Sequence, residues 1–509
     1  MNFQQYSLDK RSLALMRICI GSVLLFQAIT LYGSAEAFFS DYGLADRDWI
    51  LNSKVSYHGI SKYYYSPLLF LSGEVWFAKT ILVLLIFVSL LVILGFKSQL
   101  FTFIGFILFQ AICDRNPMIL DGGDQTLRLL LLMSTFLPIG SYFSLDKFFS
   151  KYPLNALLED ENVEIRSPVC LMVFLQISLI YISAAICKLS KHWIVDGNAV
   201  WLALHYNYFQ TPFTHLLREN YLLARMANYF TLFVEFFTPV FLLLQGWQIR
   251  FLAVISFILL HLGFAFCFDL GIFPLTSICL WVALIPKQAW FHLSQFMNFE
   301  LFNSSDIPRS HFFDKTHKNI SLFCNLLCVF VMSFTFIWVV SGNLFMLSSR
   351  ANFYGDWVRN MPTPVVYLAD FTGLSQDWRL FQITPSYQLW WSVVGHTNKN
   401  VQINLLTRKK IANLTKPKNF GEYLSGRRWM NYAGLFTYAK SDIVLRGKQE
   451  MYSRYLCRTW DQGQPSVSLK KVVFHFFRES IPRDPREEVQ KSVMKCVIEY
   501  DCSDSFRRK

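Results

Sequence analysis

The sequence predicts a polytopic α-helical membrane protein of about nine transmembrane helices, followed by a C-terminal α+β extramembrane domain. Three observations predict it. Hydrophobic residues make up 53% of the 509 residues and charged residues only 16%, whereas a soluble globular chain carries about 25% charged residues. The apolar residues gather into long runs such as Thr80 to Phe96, which in lipid satisfy their backbone groups only as helices. The third observation is a change of character near residue 346. Residues 1–345 hold 22 Lys and Arg against 21 Asp and Glu, whereas residues 346–509 hold 26 against 14. An entirely cytosolic protein is excluded. So is a disordered chain, because 17% aromatic residues supply far more apolar surface than an unpacked chain carries.

Apolar windows of about 17 to 25 residues place candidate spans at 13–32, 75–96, 99–114, 126–145, 168–188, 222–245, 250–268, 271–286 and 320–345. The first precedes Ala35-Glu36-Ala37 as a signal peptide precedes its cleavage site, but its apolar stretch is too long for a signal core, so it reads as a span. With the amino terminus inside, the inner loops collect eleven Lys and Arg and the outer loops seven. This bias orients the amino terminus to the cytoplasm and, with nine spans, the tail to the periplasm of a bacterial inner membrane. The outer segments 33–73 and 189–221 are rich in aromatic residues, as interfacial belts are.

The chain therefore divides into a transmembrane domain, residues 1–345, with a core over about 8–290 and an extra span at 320–345, and a basic α+β extracytoplasmic domain, residues 346–509. In the tail, Leu389 to Val394 with Val401 to Leu406, and Leu469 to Phe477 with Val489 to Tyr500, alternate as hairpins. Gly421 to Tyr432 and Ile443 to Trp460 have helical spacing. Its net basic charge suits anionic headgroups or an acidic peptide or protein substrate, besides the bland reading of a basic solvated surface. No zinc spacing or reading motif points to nucleic acid, and no cysteine pattern points to a metal. Cys457 and Cys502 lie in this polar tail and can pair if it faces an oxidising compartment, with Cys496 as the fallback.

Ionisable residues within spans are costly and suggest a buried partner or a function. They are Arg17, Lys79, Arg128, Lys188, Glu235, His261 and Asp269. Lys79 and Arg128 fall near helix ends and read as snorkelling residues. Arg17 and Glu235 read as an interior ion pair. Lys188 closes the fifth helix after Ser183-Ala184-Ala185, small residues that admit a neighbouring helix or a ligand. An ammonium in such a site loses proton affinity and can serve as a base, and the plain alternative is an interfacial lysine turned outward.

Several segments together resemble one family. They are Phe39-Ser40-Asp41-Tyr42-Gly43-Leu44, Arg115-Asn116-Pro117 with Asp121-Gly122-Gly123-Asp124, Lys188-Leu189 through Trp193, and His261 ten residues before Gly271-Ile272-Phe273. The resemblance is to the HTTM family, the horizontally transferred transmembrane domain related to vitamin K-dependent gamma-carboxylases, over about residues 8–290. Trp378-Arg379-Leu380-Phe381 is similar to the segment after the last span in its bacterial members. The resemblance implies that Lys188 is the catalytic base in oxygenation of a reduced quinone resembling vitamin K hydroquinone, and that His261 and Asp124 orient groups or relay protons. The chain departs from the carboxylases in one place. They carry an Asn-His pair where this chain reads Gly123-Asp124, and a carboxylate accepts where an imidazole can donate.

Two functions of different class follow. The first is a quinol-dependent membrane enzyme, a carboxylase-like lyase or oxygenase with catalytic Lys188, His261 and Asp124, acting on an acidic peptide held by the tail. The second is a non-catalytic membrane scaffold, export or assembly factor, or transport component, in which Lys188, Asp124 and Glu235 form a structural polar network.

Overall fold

The computed structural model describes residues 6–52, 71–149, 163–244, 246–296, 361–371, 386–409, 426–438, 443–463, 467–487 and 493–503, with isolated positions between them. The fold is mostly helical, and a small sheet lies in the tail. The bundle comprises α1 (Lys10–Gly33), α2 (Val75–Leu94), α3 (Ser98–Arg115), α4 (Gly122–Thr135), α5 (Pro168–Cys187), α6 (Tyr221–Leu242), α7 (Trp247–Cys267), α8 (Phe273–Val282) and α9 (Lys287–Phe296). Their ends carry ordinary stop and start signals. Asp9 caps α1 through the Arg11 amide, Asn220 caps α6 through the Leu223 amide, and Gly95 ends α2 in the left-handed region at φ 71°.

Contacts such as Arg17 with Val92, Gln110 with Arg128 and Lys188 with Glu235 tie α1 to α2, α3 to α4 and α5 to α6. At one end of the bundle, a two-residue ribbon of β1 (Leu8–Asp9) and β2 (Glu164–Ile165) joins the starts of α1 and α5. Arg250 ties α7 to it by donating to the carbonyls of Ser7 and Leu284. Arg17 also works there. Its guanidinium donates to the carbonyls of Val92, Ile93, Ile139 and Phe143, so it satisfies the open carboxyl end of α2 and is no partner of Glu235. This corrects the expected Arg17–Glu235 pair. Arg128 is also not a snorkelling residue, because it is buried and donates to Gln110 Oε1 at 3.3 Å.

Among the described residues, four helices are long and apolar enough to cross a membrane: α1, α2, α5 and α7. Nine spans are thus not supported among the described residues. The fourth helix stops at Thr135, short of the expected 145, because Pro138 and Gly140 follow. Its 14 residues reach only about 21 Å and the 10 residues of α8 about 15 Å, against a hydrocarbon core of about 30 Å. The ninth expected span, 320–345, lies outside the described residues except for isolated helical positions such as Phe334 and Trp338.

α6 has the length to span, at 22 residues, but its polarity is reversed from that of a water-soluble helix. Asn228, Thr231, Glu235 and Thr238 are buried, while Met226, Phe230, Phe233, Phe237 and Phe241 are exposed. Outward apolar rows also mark α2, at Val83, Phe87 and Leu90, and α7, at Leu252, Leu259 and Leu262. Such rows are compatible with an integral membrane protein.

In the tail, β3 (Tyr387–Thr397), β4 (Gln402–Asn404), β5 (Leu469–Ser480) and β6 (Val493–Asp501) form an antiparallel sheet of order β4-β3-β5-β6. The two expected hairpins are therefore joined through β3 and β5, with Trp391 opposite Phe476 and Val393 opposite Phe474. Besides a helix at Thr363–Phe371, the tail has α10 (Arg427–Tyr438) and α11 (Ile443–Gly463), so the first of the two expected helices begins six residues later than its spacing suggested. α11 lies on the sheet, its Tyr452 ring 6.2 Å from that of Trp391 and 6.1 Å from that of Phe474. Cys457 of α11 is bonded to Cys502 beyond β6, with Cα atoms 5.8 Å apart, the pairing expected from the sequence.

The tail sits on the end of the bundle opposite the β1-β2 ribbon. Trp193 and Trp201 donate their indole N–H groups to the carbonyls of Phe381 and Pro482, at 3.0 Å each. Tyr432 donates to the carbonyl of Leu44, and Arg427 to that of Tyr208.

Candidate functional site

Lys188 is the C-cap of α5 and is 1% exposed. It does not turn outward. Its Nζ donates to Glu235 Oε2 of α6 at 2.6 Å and to the carbonyl of Ala184 at 3.3 Å. The ammonium stands 5.7 Å from the centroid of the Trp193 ring, close enough for a cation–π contact. Trp193 is itself fixed twice, by its N–H to the Phe381 carbonyl and by its own carbonyl, which accepts from Asn228 Nδ2 of α6 at 2.8 Å. The small residues before Lys188 let α6 come this close.

His261 is buried on α7. Its Nδ1 lies 2.8 Å from the Phe257 carbonyl, an acceptor only, so Nδ1 carries the hydrogen. Nε2 then faces the Tyr181 hydroxyl at 3.4 Å, near the outer limit of a hydrogen bond. Tyr181 and Lys188 are seven residues apart on α5 and so share a face. The Lys188 charge is within electrostatic reach of His261, and that of Glu235 within reach of Tyr181. Lys188 with Glu235 and Tyr181 with His261 are thus two buried polar pairs, from three helices, within electrostatic reach of each other.

Asp124 is placed differently. It sits in the first turn of α4, where its carboxylate accepts from the Asp121 amide at 2.9 Å, and the Asp121 side chain caps the same helix. The same carboxylate accepts both terminal nitrogens of Arg428 from α10, with Nη2 to Oδ1 at 2.6 Å. Arg428 also donates to the Ile119 carbonyl, and Asn431 reaches the carbonyls of Ile119 and Leu120. Asp124 thus belongs to the joint between bundle and tail. At this joint burial and the neighbouring Asp124 carboxylate push Asp121 up to about 6. Burial works against the charge on Arg428, yet Asp124 and Asp121 more than offset it and raise its pKa above the ordinary value.

The Gly123 position has a steric reason. A Cβ there would stand 2.5 Å from the backbone nitrogen of Phe273, so the close approach of α4 to α8 leaves no room for a side chain.

The first two resembling segments meet each other. Arg115 Nη2 reaches Asp41 Oδ1 at 3.2 Å and Nη1 donates to the Ala45 carbonyl, while Asn116 donates to the Phe38 carbonyl. They form a clasp between the segment after α1 and the end of α3. The fourth and fifth converge near Lys188. The Phe381 ring lies 5.5 Å from Phe209, 5.6 Å from Phe268 and 6.5 Å from Phe264, and Phe264 is 5.6 Å from His261.

Tyr181 and Arg428 were not among the residues expected to form a site, while Trp193 was expected only within the segment after Lys188, and Glu235 only as a partner of Arg17 or in the structural polar network with Lys188 and Asp124. A signal for Glu235 stands in the sequence. Pro239, four residues on in the same helix, has no N–H, so the Glu235 carbonyl loses its helical partner. An acid beside a proline within an apolar helix marks a locally opened, polar turn. Arg428 carries no comparable signal, since its pairing depends on how the tail docks. Among the described residues no group of three or more His, Cys, Asp or Glu is arranged to hold a metal ion. No family model, no curated protein and no solved structure matches the chain.

Proposed function

We propose that the chain is an integral-membrane acid–base enzyme of carboxylase-like chemistry, with Lys188 as its base and His261 as a neighbouring proton carrier. The observation that supports this most is the buried lysine beneath the tail, held between a carboxylate and an indole with a second titratable pair in reach. Taking such a group out of water costs several kcal/mol, which favours a role beyond solvation of a helix end. Lys188 holds or releases a proton at Nζ, and Glu235 stabilises the charged form. Trp193 and the Phe264, Phe268 and Phe381 rings exclude water from the same place.

A reduced quinone, when bound, would supply an acidic hydroxyl and two electrons. The aromatic residues Trp193, Phe264 and Phe381 beside a titratable pair suit a flat, weakly polar ring. The acidic peptide or protein substrate falls to the basic tail, whose Lys399, Arg408, Lys409, Lys470 and Arg486 are exposed. Asp124 serves the joint.

The reading includes a bacterial inner membrane, a cytoplasmic amino terminus and a periplasmic tail. The Cys457–Cys502 bond supports that orientation, because disulfides persist in oxidising compartments. One observation favours the scaffold reading instead: Lys188, Asp124 and His261 each already have a partner within the chain.

The deciding experiment is oxygen uptake by the full chain in lipid nanodiscs supplied with vitamin K hydroquinone. Uptake that is lost in Lys188→Met and kept in Asp124→Asn is the expected result. No uptake above empty nanodiscs leaves the scaffold reading.

A further inference from the structure

We infer that Glu235 is the positioning residue that sets the proton on Lys188, the two side chains sharing one transferable proton inside the bundle. This deepens the proposed reading and rests on it only where activity is measured.

Several features of α6 carry the inference. Glu235 is one of four polar residues that the helix turns inward while it exposes phenylalanines, so its carboxylate has no path to bulk water along its own helix. Its Oε2 is 2.6 Å from Lys188 Nζ, with side chains 6% and 2% exposed. An ammonium has three donors. One goes to Glu235, one to the Ala184 carbonyl, and the remaining side of the group meets the Trp193 ring.

Proton transfer along the short contact breaks one N–H bond on Lys188 and forms one O–H bond on Glu235, leaving a neutral amine and a neutral acid. Nothing else is consumed. In a medium of low dielectric the charged and neutral forms of such a pair lie close in energy, because the Coulombic gain of the ion pair is set against the desolvation of two charges.

The titratable groups facing Lys188 are few. They are Glu235 from α6, His261 from α7 and Tyr181 from its own helix. Lys191, His192 and Asp196 of the following segment interact with one another and are at least partly exposed. With Nδ1 of His261 bound to the Phe257 carbonyl, its Nε2 is left as an acceptor toward Tyr181. Among the described residues, Glu235 is therefore the one anion of these groups.

The test uses the full chain in nanodiscs as wild type, Glu235→Gln, Glu235→Asp, Lys188→Met and the double variant Glu235→Gln with Lys188→Met. Two measurements are independent of activity. In thermal unfolding, each neutralising single variant should melt below the double variant, since an ionisable group left alone in the bundle must either stay charged or give up its charge, and either costs stability. In infrared spectra at neutral pH, Lys188→Met should gain a protonated-carboxyl band that the double variant lacks. Additive losses in melting, or no such band, would overturn the sharing of a proton.

The third measurement is the pH profile of vitamin K hydroquinone oxidation. Without its anion Lys188 loses its proton more readily, so the acid limb in Glu235→Gln should move down by about one to three pH units, and Glu235→Asp should restore it. An active Glu235→Gln with an unmoved limb would sink the positioning role. A wild type that oxidises no quinol removes the proposed function, while the melting and infrared results still decide the pairing.

Discussion

Two helices of nearly equal length, α6 in the bundle and α11 in the tail, are built in opposite senses. α11 buries Met451, Tyr452, Cys457 and Trp460, with Tyr452 against the sheet, as a helix in water does. α6 turns Asn228, Thr231, Glu235 and Thr238 inward and its phenylalanines outward. Different surroundings, water for α11 and hydrocarbon for α6, would produce this difference. Water rewards burial of apolar surface, whereas hydrocarbon does not distinguish an inner leucine from an outer one and penalises only exposed polar groups. In hydrocarbon, polar side chains would collect where α6 meets α5, and a charged pair would come to lie inside an apolar bundle.

The joint between the two regions is where the comparison breaks most easily. Arg428→Ala removes a tail cation from a buried Asp124 and should cost about 3–5 kcal/mol. Hydrogen exchange should rise across 426–438 and around Asp121 together. Protection equal to wild type would show that the tail is held by its indole and tyrosine contacts alone. Neutralising both partners, as Arg428→Met with Asp124→Asn, should recover much of the loss.

The disulfide tests the tail by itself. Cys457→Ser opens a link with a sequence separation of 45 residues, worth about 4 kcal/mol by chain entropy. Melting of the tail should fall while that of the bundle stays. A bundle that melts earlier to the same extent would mean that the two regions unfold as one.

Phe233→Lys addresses the surroundings of α6 directly. Phe233 is 55% exposed, so in water the change should be nearly neutral. In hydrocarbon it should cost about 3 kcal/mol on insertion scales and lower the yield of membrane-inserted protein. Val497→Lys on the exposed edge of the tail sheet is the control and should leave yield unchanged.

Much of this architecture was legible in the sequence, for physical reasons that also mark where legibility stopped. The apolar runs located α1, α2, α5 and α7 because periodicity and composition are local properties. The end of α4 was overrun, since an apolar window ignores Pro138 and Gly140, which stop a helix whatever its hydropathy. Lys188 and His261 stood out as charges in apolar stretches. So did Glu235, but its pairing did not, because the choice between Arg17 and Lys188 for Glu235 depends on which end of the bundle each occupies. The same holds for Asp124, whose partner is more than 300 positions away in another domain.

The last effect is a slope with pH and not a loss. Asp121 lies at the joint with its Oδ1 accepting from Gly123 and its Oδ2 3.8 Å from Arg428. Burial comes first and the Asp124 carboxylate second in raising its carboxyl to about 6, while Arg428 and Arg427 act in the opposite direction. In an unfolded chain the same carboxyl titrates near 4. Below about pH 4 it is protonated in both states and adds no pH dependence. Between about pH 4 and 6 the folded protein holds a proton that the unfolded chain has released, so stability falls as pH rises through this window and the lost part is constant above it. Asp121→Asn keeps a side chain able to cap α4 but cannot ionise. Its stability relative to wild type should therefore climb from pH 4 to pH 6 and then level, as read from melting temperatures of both proteins in the same nanodiscs. A difference that stays flat across the window would mean that Asp121 is solvated at the joint, and that the tail sits more loosely on the bundle than the Arg428 contacts require.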